Sequence, residues 1–340
     1  MPGKYNCTAV SNARNKIRRH RWLPIAAACA LLLSGCSIKK LAVNKIGNAL
    51  ANSGTTFSAD DDPDLVGDAL PFSLKLMESL LAESPKHRGL LFAASSGFTQ
   101  YTYIYVQEPA ERMETEDVGK SQELRTRARR LYLRGRNYGL RGLEVKHPGF
   151  EQLLREYPKL AVREVTAKSE VPLLYWTAAS WGLAIANAKD NPDLIAEQPL
   201  VEALIDRALQ LDSNYDNGAI HGFLISYEPS RHGVKGDFSD RCRVHFQEQV
   251  KLTGGQLAAP YVALAEAVSI EKQDQAEFET LLKKALAIDP DVRPEWRLNN
   301  IVTQRRARWL LERESDLFLA QDTGSTKSPP DLAISLQGKW

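Results

Sequence analysis

The sequence predicts an all-α fold, in which antiparallel helix pairs stack into an α-α superhelix. Apolar residues recur at helical spacing over most of the stretch from residue 63 to residue 314, and no segment has a convincing strand pattern. Three segments share one form, in which a helix ends, a turn follows and a new helix begins: Leu80-Leu81-Ala82-Glu83-Ser84-Pro85, Ala208-Leu209-Gln210-Leu211-Asp212-Ser213 and Ala285-Leu286-Ala287-Ile288-Asp289-Pro290.

Residues 1–35 have the features of a secretory signal. A basic head that ends at Arg21 precedes an apolar run from Trp22 to Leu33. The stretch Leu33-Ser34-Gly35-Cys36 then matches the lipobox of bacterial lipoproteins, in which the cysteine thiol receives diacylglycerol and becomes the new N-terminus. An uncleaved transmembrane anchor is the alternative, but this run is shorter than the roughly 20 residues that cross a bilayer. We therefore predict lipidation at Cys36 and a periplasmic chain anchored to the cell membrane or the outer membrane.

Cleavage at this point would leave a mildly acidic chain. The signal holds six of the 44 basic residues and none of the 42 acidic ones, so 38 basic and 42 acidic residues remain. An acidic exported protein is a poor candidate for nucleic-acid binding, which depends on basic surfaces. Of the four cysteines only Cys36 and Cys242 would remain, and the lipid occupies the first, so no intramolecular disulfide is expected.

Punctuation by proline, glycine and asparagine divides the mature chain. Residues 36–62 read as a lipidated tether, residues 63–318 as the helical repeat domain and residues 319–340 as a disordered tail. Asp62 or Asp64 is the expected N-cap of the first long helix, with Pro63 in its first turn. In order, helices are predicted at about 63–84, 88–105, 118–142, 150–157, 158–168, 172–186, 200–211, 217–227, 238–252, 260–270, 276–288 and 294–314, with a polar loop over 108–117.

Two of these helices have distinctive compositions. The helix that Pro172 opens is apolar on all sides, which predicts that it is buried. The helix over 118–142 instead carries seven arginines between Arg125 and Arg141. Successive arginines point in different directions on a helix, so most are expected to be solvated or paired with surface acids. A role in binding a carboxylate is the alternative, and Arg134 and Arg141, seven residues apart on one face, are its candidates.

The repeated endings point to tetratricopeptide-like pairs. The segment from Ala285 to Pro290 is close to the end of such a repeat, and the other signature positions fall on Tyr261, Leu264, Ala265, Phe278 and Leu282, given one inserted residue. Small residues such as Gly182 and Ala265 allow paired helices to approach closely. A generic helical bundle with a chance Asp-Pro ending is the alternative. Stacked pairs leave a concave groove, the usual binding face of such scaffolds.

No catalytic motif stands out, so we predict a protein that is not an enzyme and uses no cofactor or metal. The sequence has no Gly-x-Ser-x-Gly elbow, phosphate-binding loop or His-Glu-x-x-His pair. Cys242 and His245 could face one metal ion, but two ligands do not make a site, and an ordinary buried thiol is favoured. His221 and His232 are expected to be structural or surface residues.

Aromatic side chains are the remaining binding candidates. Most large aromatic residues of a repeat protein belong to its core, although some could line an apolar groove. Together with the two arginines they form the tentative ligand-binding set: Phe98, Tyr101, Tyr105, Tyr175, Trp176, Trp181, Arg134 and Arg141.

With these residues in view, the chain resembles the T-component lipoproteins of TRAP transporters. The similar segments are Arg129-Arg130-Leu131-Tyr132-Leu133-Arg134-Gly135-Arg136-Asn137-Tyr138-Gly139-Leu140-Arg141, His147-Pro148-Gly149-Phe150 and Val171-Pro172-Leu173-Leu174-Tyr175-Trp176-Thr177-Ala178-Ala179-Ser180-Trp181-Gly182. The resemblance implies a periplasmic lipoprotein with cryptic tetratricopeptide-like pairs. It also implies a homo-oligomer, as a trimer, that docks the periplasmic substrate-binding component of a TRAP system and accepts a ligand in a mostly apolar pore.

The leading hypothesis is therefore a non-enzymatic accessory component of a solute uptake system. It would bind the substrate-binding component and an apolar or carboxylate-bearing solute. An envelope-assembly adaptor that uses the same repeats to hold other envelope proteins is the alternative.

Overall fold

A computed structural model describes residues 44–50, 54–231 and 233–319. Within these ranges every regular element is helical and no strand occurs, which confirms the all-α prediction. No helix in this part of the chain is long and apolar enough to cross a membrane. Cys36, the signal and the tail after residue 319 lie outside the described residues, so the predictions made for them stay predictions.

The helices follow the predicted order closely. Their bounds are α1 44–50, α2 Gly54–Ser58, α3 Pro63–Glu83, α4 Arg88–Thr102, α5 Glu108–Arg112, α6 Val118–Glu144, α7 Phe150–Glu156, α8 Pro158–Glu164, α9 Val171–Ala186, α10 Pro192–Ile195, α11 Gln198–Leu211, α12 Tyr215–Tyr227, α13 Phe238–Thr253, α14 Ala259–Leu264, α15 Gln275–Leu286, α16 Arg297–Glu312 and α17 Glu314–Leu317. Two π-helical turns extend α4 and α14, at Tyr103–Gln107 and Ala265–Ser269.

Successive helices pack as antiparallel neighbours and form a superhelix. The principal contacts run from α3 to α4, α6, α9 and α11, and then through α12, α13, α14, α15 and α16. The larger apolar core lies around α6, α9 and α11, and a second core lies around α14 and α15. The helix α9 is apolar on all sides and was therefore predicted to be buried. It is buried along most of its length.

The helix α6 approaches both of its neighbours closely through glycines. A Cβ atom on Gly135 would lie 3.0 Å from Oγ1 of Thr99 in α4, and one on Gly139 would overlap Oγ1 of Thr177 in α9. Only glycine allows the backbones to come this near. The glycines therefore set the distance between the central helices.

The predicted helix α3 is confirmed, but only some of its apolar residues are buried. Asp62 caps it, since its carboxylate accepts hydrogen bonds from the backbone N–H groups of Asp64 and Leu65 at 3.0 Å each. The buried apolar residues of α3 beyond its first turn are Val66, Leu74, Met77 and Leu81. The spacing that predicted the helix includes Leu65 and Phe72, which are exposed.

The predicted polar loop over 108–117 was partly wrong, because Glu108–Arg112 forms α5. Pro109 is tolerated in the first turn of a helix, and the chain continues directly from the first π turn. Glu108 and Ala110 are buried, and the hydroxyl of Ser121 donates to the carbonyl of Ala110 at 2.7 Å. Packing against α6 thus stabilises a helix that was not predicted, because the composition of this segment is polar.

The two ends of the superhelix meet. Arg297 at the start of α16 donates to the carbonyl of Ala59 at 3.0 Å, and Val66 of α3 packs in one small cluster with Leu298 and Val302 of α16. We call the region where α16 meets α3 and α5 the seam. It brings together residues that are more than 200 positions apart in the sequence.

Replacing Gly139 by alanine tests the close packing of α6. The new Cβ would push α6 and α9 apart, so we expect the free energy of unfolding to fall by about 1–3 kcal/mol, measured by urea denaturation. Gly119→Ala is the control, because Gly119 is exposed in the first turn of the same helix. Adding Thr177→Ala should restore part of the stability that Gly139→Ala loses. Equal behaviour of Gly139→Ala and Gly119→Ala would contradict the packing.

Candidate functional site

Arg306 of α16 forms ion pairs with two acidic residues that lie in different elements of the seam. Its Nε atom lies 3.0 Å from each carboxylate oxygen of Glu266, which belongs to the second π turn. Its Nη1 atom lies 2.7 Å from Glu111, which follows the first π turn by four residues. One nearly buried guanidinium thus joins the second π turn to α5, the helix that directly follows the first π turn. π turns occur frequently at functional sites, so this position directs attention to the seam.

A hydrogen-bonded network extends from the seam into the large core. Gln107 of the first π turn donates to Glu111 at 2.8 Å and accepts from the hydroxyl of Tyr132 at 2.7 Å. The side chain of Asn187, at the end of α9, donates to the same Gln107 oxygen at 2.9 Å. The network therefore fixes the first π turn against α6 and α9 at once.

The carboxylates outnumber the bases around Arg306. Glu108 is buried, with Arg112 only 4.0 Å away, and its burial raises its pKa to about 7 although Arg306 opposes the shift. Burial also raises the pKa of the neighbouring Tyr103 phenol. For Arg306, burial opposes the charge, but Glu266 and Glu111 outweigh it and hold the pKa well above its ordinary value. Glu108 is thus a group that changes charge near neutral pH.

A cleft of about 470 Å³ opens beside this ion cluster. Its apolar lining comes from Ile104, Val302 and Trp309, and its basic lining comes from Arg112, Arg305 and Arg308. Asp64, Glu108 and Glu312 line it as well, so the formal charges balance when Glu108 is ionised. We call this space the seam cleft. Its size is in the range of small-molecule pockets.

Three guanidinium groups surround Trp309 at the seam. Those of Arg112, Arg306 and Arg313 lie 5.3, 5.5 and 4.7 Å from the centroid of its ring. The face of an aromatic ring attracts cations, and this attraction holds the arginine side chains in fixed orientations. Of the three, Arg112 lines the cleft, so this one basic group of the lining is held in place by the ring.

The structure brings three of the predicted ligand residues together on the outer surface of α4 and α6. The guanidinium of Arg134 lies 5.1 Å from the ring of Phe98, and that of Arg141 lies 5.3 Å from the ring of Tyr138, which itself stacks on Phe98. Arg134 also binds Glu78 of α3, with Nε and Oε1 2.5 Å apart. Phe98 is buried, whereas both arginines are exposed.

Trp181 lies elsewhere, in a closed cluster. Its ring is fully buried, its Nε1 atom donates to Glu197 at 2.8 Å, and Arg136 and Arg155 stack on it at 4.7 and 5.6 Å. The same Glu197 binds both arginines, so one carboxylate holds the indole N–H and both guanidinium groups of the cluster.

Tyr175 and Trp176 belong to a third place, where α9 meets α12. The Tyr175 ring contacts Trp176, Tyr215 and Phe223 at centroid distances of 4.9, 5.6 and 6.5 Å. Trp176, Tyr215 and Phe223 are half-buried. Directly after Tyr215, the residues Asp216, Asn217 and Gly218 adopt left-handed conformations, so the predicted start of this helix at residue 217 is replaced by a tight turn.

Tyr101 and Tyr105 are the predicted residues nearest the seam. Their rings lie 5.6 Å apart, and the hydroxyl of Tyr105 donates to the carbonyl of Pro63 at 2.6 Å. Tyr105 lines the seam cleft. The eight predicted residues are thus distributed over four places in the structure. Of the eight, Tyr105 lines the seam cleft.

Cys242 and His221 are buried and His245 is half-buried, whereas His232 lies outside the described residues. Cys242 is buried, as expected for an ordinary thiol, and its Sγ atom lies 3.2 Å from the carbonyl oxygen of Ile225. His221 and His245 contact each other through their Nδ1 atoms at 2.8 Å, a pairing that the sequence did not indicate. Among the described residues no group of three His, Cys, Asp or Glu side chains is placed to hold a metal ion.

The seam residues were not predicted from the sequence. Glu108 and Glu111 fell in a segment that reads as a polar loop, and Arg306 falls in a run of arginines near the end of the chain. Residues 111, 266 and 306 are too far apart for any spacing rule to pair them. The one usable signal was Ala110, an apolar residue between the two glutamates of this segment, which is compatible with a short packed helix.

Together, the fold and the seam define a class: an all-α superhelix of helix pairs with a cleft where its ends meet. Superhelices of this kind are binding scaffolds. The chain belongs to the TRAP transporter T-component family, since the model of that family matches residues 59–318. An uncharacterized protein of Treponema pallidum (strain Nichols) is 30% identical over 311 residues, covering 86% of this chain and 96% of that relative. The family confirms the resemblance and assigns the chain to TRAP-type solute transport as an accessory component, at the membrane or in the periplasm.

Arg306→Leu tests whether the buried guanidinium holds the seam. The substitution leaves Glu266 and Glu111 without their cation, so we expect the free energy of unfolding to fall by about 3 kcal/mol, with faster hydrogen exchange in α3 and α16. Arg305→Leu is the control, because its ion pair with Asp64 is exposed and worth at most about 1 kcal/mol. Similar losses for the two variants would show that Arg306 has no special part in closure.

The pH dependence of stability tests the burial of Glu108. Its pKa is about 7 in the folded chain against 4.5 for the ordinary group, so the folded chain binds the proton more tightly. The stability it contributes is present below pH 4.5 and is lost as the pH rises to about 7. Relative to Glu108→Gln, the free energy of unfolding of the wild-type chain should therefore fall by up to about 3 kcal/mol between pH 4.5 and pH 7.5. The exposed Glu116→Gln controls for a lost surface charge, and a difference that stays constant with pH would refute the assignment.

Proposed function

We propose that the mature chain is a non-enzymatic lipoprotein, anchored through Cys36 to the cell membrane or the outer membrane. It serves a TRAP-type system by holding the soluble substrate-binding component at the membrane, on the concave side of its helix pairs. The family match over residues 59–318 supports this proposal, as does the lipobox that ends at Cys36. In this arrangement the chain acts by binding, as a homo-oligomer, and transforms nothing.

The seam cleft is the proposed solute site. Arg308 lines it and has no ion-pair or hydrogen-bond partner among the described residues, so its guanidinium is available to a ligand. Guanidinium groups bind carboxylates through two parallel hydrogen bonds, which favours a carboxylate over a neutral head group. Ile104, Val302 and Trp309 provide an apolar wall beside it. The cleft therefore suits a solute that has a carboxylate and an apolar body.

Co-purification tests the partner. A tagged full chain is recovered from envelope extracts, and we expect the substrate-binding component of a TRAP system to come with it. A Cys36→Ser chain should leave the membrane fraction and yet bind that component when the two purified proteins are mixed. Absence of any solute-binding protein, or recovery of other lipoproteins and cell-wall enzymes alone, would overturn the proposal and favour the envelope-assembly adaptor.

The solute site is tested with the purified chain, by calorimetry with decanoate as the probe. We expect Arg308→Gln to weaken binding by about tenfold, because a hydrogen bond to a charged group is worth about 1.5 kcal/mol or more. Arg130→Gln is the matched control, since Arg130 is an exposed arginine of α6 away from the cleft. Equal binding of decanoate and decanol, or equal effects of the two substitutions, would contradict a carboxylate site.

A further inference from the structure

Glu108 lies in the wall of the seam cleft without a close cation. Its side chain is 7% exposed, and its one ion pair within the described ranges joins its Oε2 atom to Nη2 of Arg112 at 4.0 Å. This distance is too long for a hydrogen bond. The cleft therefore contains a buried acid whose negative charge is poorly compensated.

The other ionisable groups around Glu108 do not supply this compensation. The guanidinium of Arg306 is bound by Glu111 and Glu266. Both of these acids, together with burial as the largest cause, raise the pKa of Glu108 to about 7, although Arg306 and Arg112 oppose the shift. Burial also raises the pKa of the two neighbouring phenols, so both are neutral near pH 7: Tyr103 and Tyr132.

The remaining charges of the cleft come from α3 and α16. Asp64 pairs with Arg305 at 3.3 Å, so these two offset each other. Arg308 and the exposed Glu312 also line the cleft, and neither forms an ion pair among the described residues. On this side of the cleft, Arg308 is thus the cation that is available to a ligand.

On the opposite side, Arg112 is the cation for which Glu108 and a bound solute would compete. Glu108 is its ion-pair partner in the described part of the chain, and its guanidinium lies 5.3 Å from the centroid of the Trp309 ring. A solute carboxylate bound to Arg112 would have this ring beside its apolar body. An ionised Glu108 opposes that arrangement, because it holds the same guanidinium and repels a second carboxylate.

We propose that the seam cleft binds the carboxylate of its solute together with one proton. The anion becomes the partner of Arg112, and the carboxylate of Glu108 takes up a proton from the solvent, with an O–H bond as the only bond formed. The anion adds one negative charge and the proton one positive charge, so the formal charges of the cleft balance before and after binding. The inference rests on the proposed solute site. It implies that the cleft captures its solute at lower pH and releases it as the pH rises.

Calorimetry of the purified chain with decanoate at pH 6, 7 and 8 tests the proton, since a carboxylic acid of this kind is ionised throughout this range. We expect the affinity to fall about tenfold from pH 6 to pH 8, because the fraction of chains with a protonated Glu108 falls from about nine in ten to about one in ten. Titrations in buffers of different ionisation enthalpy measure the proton itself. Its uptake should rise from about 0.1 to about 0.9 per decanoate over the same range.

Glu108→Gln tests which group takes up the proton. This variant should bind decanoate equally well at pH 6 and pH 8 and should take up no proton. Glu312→Gln is the matched control, because it removes an exposed acid from the same cleft. It should change the affinity by a similar factor at each pH and keep the tenfold fall. Circular dichroism checks that both variants are folded.

Arg112→Gln tests the competition for the guanidinium. We expect it to weaken decanoate binding at pH 6 by about tenfold, since it removes a charged hydrogen-bond donor. Arg313→Gln is the matched control, because Arg313 also stacks on Trp309, at 4.7 Å, but does not line the cleft. Equal losses for the two variants would overturn the role of Arg112.

The outcomes separate this inference from the solute site on which it rests. Decanoate binding that depends on Arg308 but not on pH, or a pH dependence that Glu108→Gln retains, would overturn the uptake of a proton and leave the site itself standing. Absence of decanoate binding at every pH would overturn both.

Discussion

The close approach of α6 to α4 and α9 is the constraint on which the rest of the molecule depends. Gly135 and Gly139 remove the side chains that would otherwise separate these helices. With the inner face so close to its neighbours, the outer arginines of α6 reach across to other elements. Arg129 binds Asp190 after α9 at 2.7 Å, and Arg134 binds Glu78 of α3 at 2.5 Å. The polar face of α6 thus orients elements that its apolar face does not touch.

The same central packing determines where the seam forms. Tyr132 is buried on α6, and its hydroxyl holds Gln107 in the first π turn, which in turn holds Glu111. Glu111 is then placed to bind Arg306 of α16. A buried ion pair adds little net stability, because removing charges from water costs about as much as their attraction returns. Its contribution is specificity: only one position of α16 satisfies Glu111 and Glu266 together.

How much the sequence could predict differs between local and distant features. Helix bounds depend on nearby residues, and the start of α3 at Pro63 was predicted correctly, with Asp62, one of the two expected residues, as its cap. The buried side of α3 was not, because its apolar residues form two adjacent stripes and spacing alone does not say which is covered. The seam was missed for a different reason. Its ion cluster joins residues about 40 to 195 positions apart, and a single sequence contains no information about such pairs.

The helix α3 connects the properties that the function requires. Its first turn, with Pro63 and Asp64, forms part of the wall of the seam cleft, and its middle packs on α4. Its outer side remains exposed at Leu65 and Phe72. The proposed anchor at Cys36 precedes α3 in the chain, so an anchored chain would be held on the side from which α3 begins. A contact that moves α3 therefore also moves one wall of the proposed solute site.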